Sequence, residues 1–135
     1  MSNHVLLVDD SPEFVALTKR LLEEQGYEVS VAYDGLQAIQ MAPELQPDVI
    51  VLDVMMPRLD GWATLKVLQE DDATADIPVV MLTALQGPQY VSQGFNLGAT
   101  WFCTKPVANY EELFLVLRRV VEIGQDPLAE PEADE

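Results

Sequence analysis

The sequence is poor in basic residues, and this scarcity narrows the range of partners that the chain can have. Seven lysines and arginines stand against 23 aspartates and glutamates among 135 residues, which gives a formal net charge of -16. A chain with so few cations has little to offer the phosphates of nucleic acid or an anionic membrane surface. We therefore expect it to work through metal ions, proteins or small ligands, with no direct contact to nucleic acid or membrane.

Cysteine and long apolar segments are also scarce. Cys103 is the single cysteine, so the chain cannot form an internal disulfide. The sequence contains no apolar run of about 18 residues, and it does not begin with a basic segment followed by an apolar one. These absences argue against a membrane span and a signal peptide, and they predict a location in the reducing cytoplasm.

The composition that is present is typical of one folded domain. Hydrophobic residues make up 49% of the chain and charged residues 22%. A chain of this length can bury a stable core without disulfides or structural metal ions. The last residues are rich in Pro, Glu, Asp and Ala and have no apolar period. We predict one domain over residues 1–123 and an acidic flexible tail over residues 124–135.

The central feature of the sequence is an aliphatic run that ends in a carboxylate. Val49, Ile50, Val51 and Leu52 stand together, which favours a strand buried on both faces, because a half-buried strand would alternate with polar residues. Asp53 follows at the end of this run. In an open α/β sheet, ligands collect at the carboxyl ends of the strands. Asp53 is therefore a candidate active residue.

Strand and helix patterns alternate five times along the chain. The predicted strands cover residues 4–8, 28–32, 49–52, 77–83 and 99–104, and the predicted helices cover about 12–25, 35–44, 62–69, 88–97 and 109–123. Each parallel connection needs a right-handed crossover, so this order predicts helices on both faces of a parallel sheet. The expected fold is a doubly wound α/β three-layer sandwich of flavodoxin-like type, with strand order 2-1-3-4-5.

That strand order would bring three carboxylates into one crevice. Asp9 and Asp10 follow the first strand and Asp53 follows the third, and these strands would be neighbours at the switch point of the sheet. Converging acids repel one another unless a cation lies among them, and an all-oxygen site suits a hard ion such as Mg2+. The alternative is that Asp10 belongs to a helix cap and Asp9 is a solvated loop residue.

Two further polar side chains belong to the same edge of the predicted sheet. Thr83 ends the fourth strand and Lys105 follows the fifth. A hydroxyl donor, an ammonium and a divalent cation around one carboxylate form a set that can hold a phosphoryl group.

These residues carry a family resemblance. The motifs are Val8-Asp9-Asp10, Asp53 to Gly61 (DVMMPRLDG), Thr83-Ala84, Gly98-Ala99 and Lys105-Pro106. In this spacing the chain resembles the receiver domains of two-component response regulators over about residues 4–123. The resemblance implies a signalling switch that takes a phosphoryl group from a sensor histidine kinase or a phosphotransfer protein.

The resemblance also implies a role for individual residues. Asp53 would accept the phosphoryl group, and Asp9, Asp10, Asp53 and the backbone carbonyl of Met55 would bind Mg2+. Thr83 and Lys105 would contact phosphoryl oxygens, and Phe102 would be the switching aromatic. The peptide bond between Lys105 and Pro106 would be cis. Such a protein catalyses its own phosphorylation and slow dephosphorylation, but it is mainly a switch.

The output surface predicted for such a switch is the region of helix four, strand five and helix five. Helix four lacks acid-base pairs that many DNA-binding relatives use to dimerise, and Thr100-Trp101 stand where many have two acids. We expect Leu113, Val116, Leu117 and Val120 to cover the sheet. Tyr90, Val91, Phe114 and Leu115 would then face water and bind a downstream protein or a second copy of the chain. The alternative is that these four side chains tuck under neighbouring helices.

Three rival functions share part of this sequence pattern. A flavodoxin shares the architecture, but Asp9 and Asp10 would repel a bare phosphate in its phosphate loop. An aspartyl-phosphate hydrolase normally has a second acid two residues after the nucleophile, where this chain has Met55. A receiver-like binding module that is never phosphorylated, a pseudo-receiver, remains as the alternative, although the complete acid set disfavours it.

Overall fold

Strands and helices alternate in the order that the sequence predicts. The computed structural model describes residues 3–85, 87–105 and 110–125, and the side chains as far as residue 122. The strands are β1 His4–Val8, β2 Glu28–Ala32, β3 Val49–Leu52, β4 Val79–Thr83 and β5 Trp101–Thr104. The helices are α1 Pro12–Glu24, α2 Gly35–Leu45, α3 Gly61–Glu70, α4 Pro88–Asn96 and α5 Tyr110–Gln125.

The five strands form one parallel sheet with the order β2-β1-β3-β4-β5. This confirms the predicted strand order and the doubly wound fold. In the register of the central pair, Val8 of β1 lies opposite Leu52 of β3. Asp9 and Asp53 therefore leave the sheet side by side at its carboxyl edge.

Two buried clusters, one on each face of the sheet, make up the core. The first includes Ala38 and Ala42 of α2 and Leu65 and Leu68 of α3. The second is formed with α1 and α5 and includes the side chains of Val15, Leu22, Leu113, Leu117 and Val120. The strands between them are covered on both faces, which is why the four residues of β3 are all buried.

Side-chain caps fix the beginning of three helices. Ser11, Asp34 and Asp60 accept hydrogen bonds from the backbone N–H groups of Phe14, Gln37 and Ala63, at 3.3, 2.8 and 2.9 Å. Each cap supplies an acceptor to an amide that has no partner within the helix. A hydroxyl residue followed by proline predicts a helix start, and Ser11 and Pro12 begin α1 in this way.

The helical spacing of Phe14, Leu17, Leu21 and Leu22 predicts a core face for α1, and this prediction is partly wrong. Leu17 was expected to face the core, but its side chain is 43% exposed, while Val15, Thr18 and Leu22 are buried. These three share one face at helical spacing, and Leu17 lies off it.

The predicted exposed face of α5 is wrong for Phe114. This side chain is buried, and its ring centroid lies 6.1 Å from that of Tyr110. The apolar stripe of α5 is wider than expected, because Phe114 and Val121 are buried together with Leu113, Leu117 and Val120. Leu115 is 58% exposed, as predicted.

Two strands begin later than predicted. β4 starts at Val79 rather than Ile77, and β5 starts at Trp101 rather than Ala99. The N–H of Ala99 donates to the carbonyl of Gly94 at 2.9 Å, so this residue closes the end of α4 instead of joining the sheet. Trp101, the first residue of β5, is 49% exposed.

Some predictions fall outside the described residues. These are the cis form of the Lys105–Pro106 peptide bond, the tail after Gln125 and Asn109, whose residue type predicts an N-cap for α5. The helix α5 itself extends to Gln125, two residues past its predicted end. Among the described residues, no helix is both long and apolar enough to cross a membrane.

Candidate functional site

Three carboxylates meet at the carboxyl edge of the sheet. The N–H of Asp9 donates to the carbonyl of Ala32 at 3.1 Å, and the N–H of Asp53 donates to that of Val8 at 3.0 Å, so the sheet itself positions both residues. Each of Asp9, Asp10 and Asp53 can offer one oxygen such that the three atoms lie within 4.8 Å of one another. Asp9 and Asp53 are buried and Asp10 is exposed. The structure therefore brings together the three acids that the sequence singles out.

Lys105 follows the edge strand β5 and joins this cluster at the same carboxyl edge of the sheet. Its Nζ lies 2.5 Å from Oδ2 of Asp9 and 3.5 Å from Oδ2 of Asp53. The backbone N–H of Lys105 donates to the carbonyl of Thr83 at 2.7 Å, which fixes the residue to the end of β4. Its Nζ also lies 4.2 Å from the ring centroid of Phe14, in cation-π range.

The contact with Phe14 was not anticipated from the sequence, which placed Phe14 on the core face of the first helix. The ring is half-buried and ends beneath the ammonium of Lys105. An aromatic residue in the first turn after Asp9-Asp10 was the only available signal. The pairing itself joins residues that are far apart along the chain.

Thr83 lies at the same edge, and its side chain is fully buried. Its Oγ1 accepts a hydrogen bond from the N–H of Leu85 at 3.4 Å. Hydrogen bonding by the hydroxyl also lowers the pKa of Asp53. Thr83 thus belongs to the environment of the Asp53 carboxylate, as the sequence predicts.

The electrostatic environment of Asp53 contains opposing influences. Burial is the largest of them and raises the pKa of Asp53, and the charge of Asp9 raises it further. The ammonium of Lys105, the N–H of Met55 and the hydroxyl of Thr83 act in the opposite direction. The net result is a pKa above the ordinary value for an aspartate, because desolvation disfavours the charged carboxylate.

The donor set fits a hard divalent cation. Three carboxylates against the single ammonium of Lys105 leave negative charge within the cluster. Backbone N–H groups satisfy only part of their oxygens, with Ser11 donating to Asp9 at 2.9 Å and Met55 donating to Asp53 at 3.3 Å. Oxygen donors with residual negative charge and an exposed side suit an ion such as Mg2+, which keeps several waters.

A glycine keeps the β3–α3 loop close to Asp53. A Cβ atom at Gly61 would overlap the backbone carbonyl of Asp53 and approach Val54. The N–H of Gly61 donates to the carbonyl of Val54 at 2.8 Å. The loop can therefore close tightly beneath the acidic cluster only because residue 61 has no side chain.

Phe102 lies near the site but points toward α3 and α4. Its ring stacks on that of Trp62, with centroids 6.4 Å apart and an interplanar angle of 24°. A Cβ atom at Gly94 would lie only 3.2 Å from the Phe102 ring. The absence of a side chain at Gly94 thus leaves room for the half-buried aromatic ring.

Comparisons with known proteins agree with this geometry. A family model described as the response regulator receiver domain matches residues 5–118. The DNA-binding dual master transcriptional regulator RpaA of a Synechocystis strain is 44% identical over 124 residues, covering 90% of this chain and 52% of that protein. The chain thus spans about half the length of this curated relative.

Solved structures have the same fold. The chemotaxis response regulator CheY4 of Vibrio cholerae superposes with a TM-score of 0.82 at 35% identity, covering 89% of this chain and 99% of that one. The receiver domain of the sensor histidine kinase PA1611 from Pseudomonas aeruginosa gives a TM-score of 0.81 at 28% identity, covering 90% and 99%. That structure has a magnesium ion coordinated in its active site cleft.

Proposed function

This chain belongs to the response regulator receiver family, and we propose that it accepts a phosphoryl group on Asp53 and thereby changes its contacts with other proteins. The observation that carries the proposal is the buried Asp53 carboxylate, with Lys105 Nζ at 3.5 Å and an oxygen each from Asp9 and Asp10 within 4.8 Å. A nucleophilic carboxylate, a fixed cation and a set of metal ligands are the components that phosphoryl transfer requires.

The proposed donor is a phosphohistidine of a sensor histidine kinase or a phosphotransfer protein. An oxygen of Asp53 attacks the phosphorus atom, and the bond between phosphorus and the imidazole nitrogen breaks. The electron pair of that bond returns to the imidazole, which leaves with the donor protein. The product on this chain is an acyl phosphate.

The residues around Asp53 would lower the barrier by balancing charge. Asp53 and the phosphoryl oxygens are both negative, so their approach is unfavourable without a nearby cation. Lys105 would remain at the site and pair with a phosphoryl oxygen, since its backbone is anchored to Thr83. The Thr83 hydroxyl would donate to a second phosphoryl oxygen.

We further propose that Asp9, Asp10, Asp53 and the backbone carbonyl of Met55 hold Mg2+ at this site. When bound, Mg2+ supplies positive charge that offsets the developing negative charge of the transferred group. The support is the residual negative charge of the three acids and the magnesium ion in the cleft of the PA1611 receiver.

The proposed response to phosphorylation starts at Thr83. If its hydroxyl moves to the phosphoryl group, the hydrogen bond from the Leu85 N–H is released and the segment after β4 can move. Phe102, which now stacks on Trp62 beneath Gly94, would then change position. Such a change is a two-state equilibrium that a local charge shifts.

The proposed output surface is an apolar groove on β5 and α5. A cavity of about 200 Å³ is lined by Trp101, Leu115, Val116, Arg119 and Val120. Trp101 and Leu115 are 49% and 58% exposed, so part of this apolar area faces water. Phe114 is excluded from the surface by its burial. We propose that this surface binds a downstream protein or a second copy of the chain.

The chain itself is proposed not to bind nucleic acid or a membrane, on the ground of its net charge of -16. RpaA is described as a DNA-binding regulator, but this chain spans only 52% of its length. The domain is proposed to cover residues 1–123, with an acidic tail over 124–135.

The experiment that tests the proposal is incubation with acetyl phosphate and Mg2+, followed by intact mass measurement. One phosphoryl group should be added to the wild-type chain and none to Asp53→Asn. A pseudo-receiver would gain no mass even at saturating Mg2+. Equal labelling of the wild type and Asp53→Asn would show that another residue is the acceptor.

A further inference from the structure

An ion pair with a buried carboxylate connects the loop that follows Asp53 to the start of α2. The Arg58 guanidinium bonds to Oδ2 of Asp34, which joins the β3–α3 loop to the start of α2. Asp34 is only 3% exposed, whereas the side chain of Arg58 is 66% exposed. Because the carboxylate is buried, this contact differs from the surface ion pairs that contribute little to stability.

The two oxygens of Asp34 have different partners. Oδ1 accepts a hydrogen bond from the N–H of Gln37 at 2.8 Å and caps α2, which leaves Oδ2 for Arg58. The Gln37 N–H, as the largest influence, and the Arg58 charge both lower the pKa of Asp34, although burial opposes them. The carboxylate is therefore ionised at neutral pH, and removal of Arg58 would leave a buried charge without its ion-pair partner.

The backbone of Arg58 has an uncommon conformation. Its φ is +68°, which is rare for a residue with a side chain. Arg58 and Gln46 are the only such residues in the part of the chain that the structure describes, and Gln46 occupies the common left-handed position at the end of a helix. Arg58 lies in a loop instead, where no helix end accounts for the left-handed conformation.

The start of α2 also lies directly against the same loop. A Cβ atom at Gly35 would overlap Thr64 Oγ1 and approach the carbonyl oxygen of Leu59 to 2.8 Å. Thr64 in turn donates its hydroxyl hydrogen to the carbonyl of Asp60 at 2.8 Å. The loop is thus confined between α2 and the first turn of α3, and the Arg58–Asp34 ion pair connects it to the start of α2.

We propose that Arg58 is a positioning residue whose pairing with Asp34 holds the β3–α3 loop so that the backbone of Met55 stays in reach of a cation at the acidic cluster. The inference rests on the proposed Mg2+ site. Arg58 itself does not contact the phosphoryl group or the metal in this scheme. It acts through the backbone of Met56 and Pro57, the two residues that separate it from Met55.

The test compares two arginines that are equally exposed. Arg58→Gln is the test variant, and Arg20→Gln is its matched control, because the Arg20 side chain is 68% exposed and, among the described residues, forms an ion pair only with Glu24 on the same helix, at 4.0 Å. Titration calorimetry should give Arg58→Gln a dissociation constant for Mg2+ raised about tenfold, the lower end of the effect of residues that orient metal ligands. Arg20→Gln should stay within about twofold of the wild type, as expected for an exposed pair.

Three additional measurements separate positioning from a general loss of stability. Arg58→Lys keeps the charge and should recover part of the affinity. Asp34→Asn keeps the helix cap, and the double variant with Arg58→Gln should bind Mg2+ no more weakly than Asp34→Asn alone. In the metal-free protein, amide exchange at Met55 and Leu59 should be faster in Arg58→Gln than in Arg20→Gln.

The inference and the proposed function fail in different ways. If Arg58→Gln matches Arg20→Gln in Mg2+ affinity and amide exchange, Arg58 is not a positioning residue, although Asp53 can still be the acceptor. If the wild type binds Mg2+ and is phosphorylated while Arg58→Gln alone binds Mg2+ weakly, both stand. If the wild type neither binds Mg2+ nor gains a phosphoryl group, the proposed function fails and the inference fails with it.

Discussion

The ammonium of Lys105 lies closer to Asp9 than to Asp53, at 2.5 Å against 3.5 Å. Without a phosphoryl group, the cation therefore pairs mainly with a proposed metal ligand and only secondarily with the proposed acceptor. Its position between the two carboxylates lets it offset their mutual repulsion. This arrangement gives Lys105 a role before transfer as well as during it.

Replacing Lys105 with Gln should slow phosphorylation more than it weakens metal binding. Loss of a preorganised charged donor typically costs on the order of 100-fold in rate. Mg2+ affinity should be kept or increased, because Asp9 no longer has a competing cation. The phosphorylation rate with acetyl phosphate and calorimetric titration with Mg2+ measure the two effects. A parallel loss of rate and Mg2+ affinity would argue against this division of roles.

Replacing Asp53 with Asn should stabilise the metal-free protein at neutral pH. The pKa of Asp53 is raised in the folded chain, so the folded state favours the protonated carboxyl. The stability that this provides is present below the unfolded pKa of about 3.9 and is lost as the pH rises through the folded value. At pH 7 the ionised Asp53 therefore opposes folding, and the neutral amide does not.

Thermal unfolding at a series of pH values checks this prediction. Asp53→Asn should have the higher Tm at pH 7, by on the order of 3 °C for each kcal/mol gained. The difference should shrink as the pH falls through the raised pKa. A variant that is less stable than the wild type at pH 7 would mean that Lys105 compensates the buried charge fully.

Replacing Asp10 with Ala should weaken Mg2+ binding while leaving the fold intact. Asp10 is exposed, and its charge adds to the repulsion within the cluster, so its removal costs little packing. Mg2+ affinity should fall by more than about tenfold. A loss of about tenfold is expected for residues that only orient metal ligands, whereas Asp10 is itself a proposed ligand. Glu13→Ala is the matched control, since Glu13 is an exposed acid in the first turn of α1. Equal Mg2+ affinity in both variants would remove Asp10 from the metal site.

Replacing Gly61 with Ala should disturb the site through its backbone. The added Cβ atom would overlap the carbonyl of Asp53, and a forced shift in a packed region costs about 1–3 kcal/mol. Urea unfolding should detect this loss, and phosphorylation should slow as well. A free energy of unfolding equal to that of the wild type would show that the loop can move aside without cost.

Replacing Trp101 with Ala or Leu115 with Ser should weaken phosphorylation-dependent association without slowing phosphorylation of Asp53. Both side chains line the exposed groove on β5 and α5. Val67→Ser is the control, because Val67 is an exposed apolar residue of α3, 38% accessible. Sedimentation and pull-down with the phosphorylated chain provide the measurement. Association that is insensitive to phosphorylation, or equally reduced by Val67→Ser, would exclude this surface.

The sequence alone determined the architecture and the membership of the acidic cluster. Buried aliphatic runs separated by helical patterns predict a parallel sheet, and parallel strands end at the same edge. Residues that follow such strands must therefore meet, which is why Asp9, Asp53, Thr83 and Lys105 could be grouped without a structure. The acid pairs and the strand-end positions are local features, and local features can be seen in a sequence.

Only the tertiary structure decided which contacts those residues make. Lys105 pairs with Asp9 and lies over Phe14, and Arg58 pairs with Asp34. No periodic pattern in the sequence links the two residues of any of these contacts. Phe114 is buried where the spacing predicted exposure, because the width of the covered face depends on how α5 packs against its neighbours. Such contacts depend on packing between elements that are distant along the chain, and helix or strand periodicity does not specify that packing.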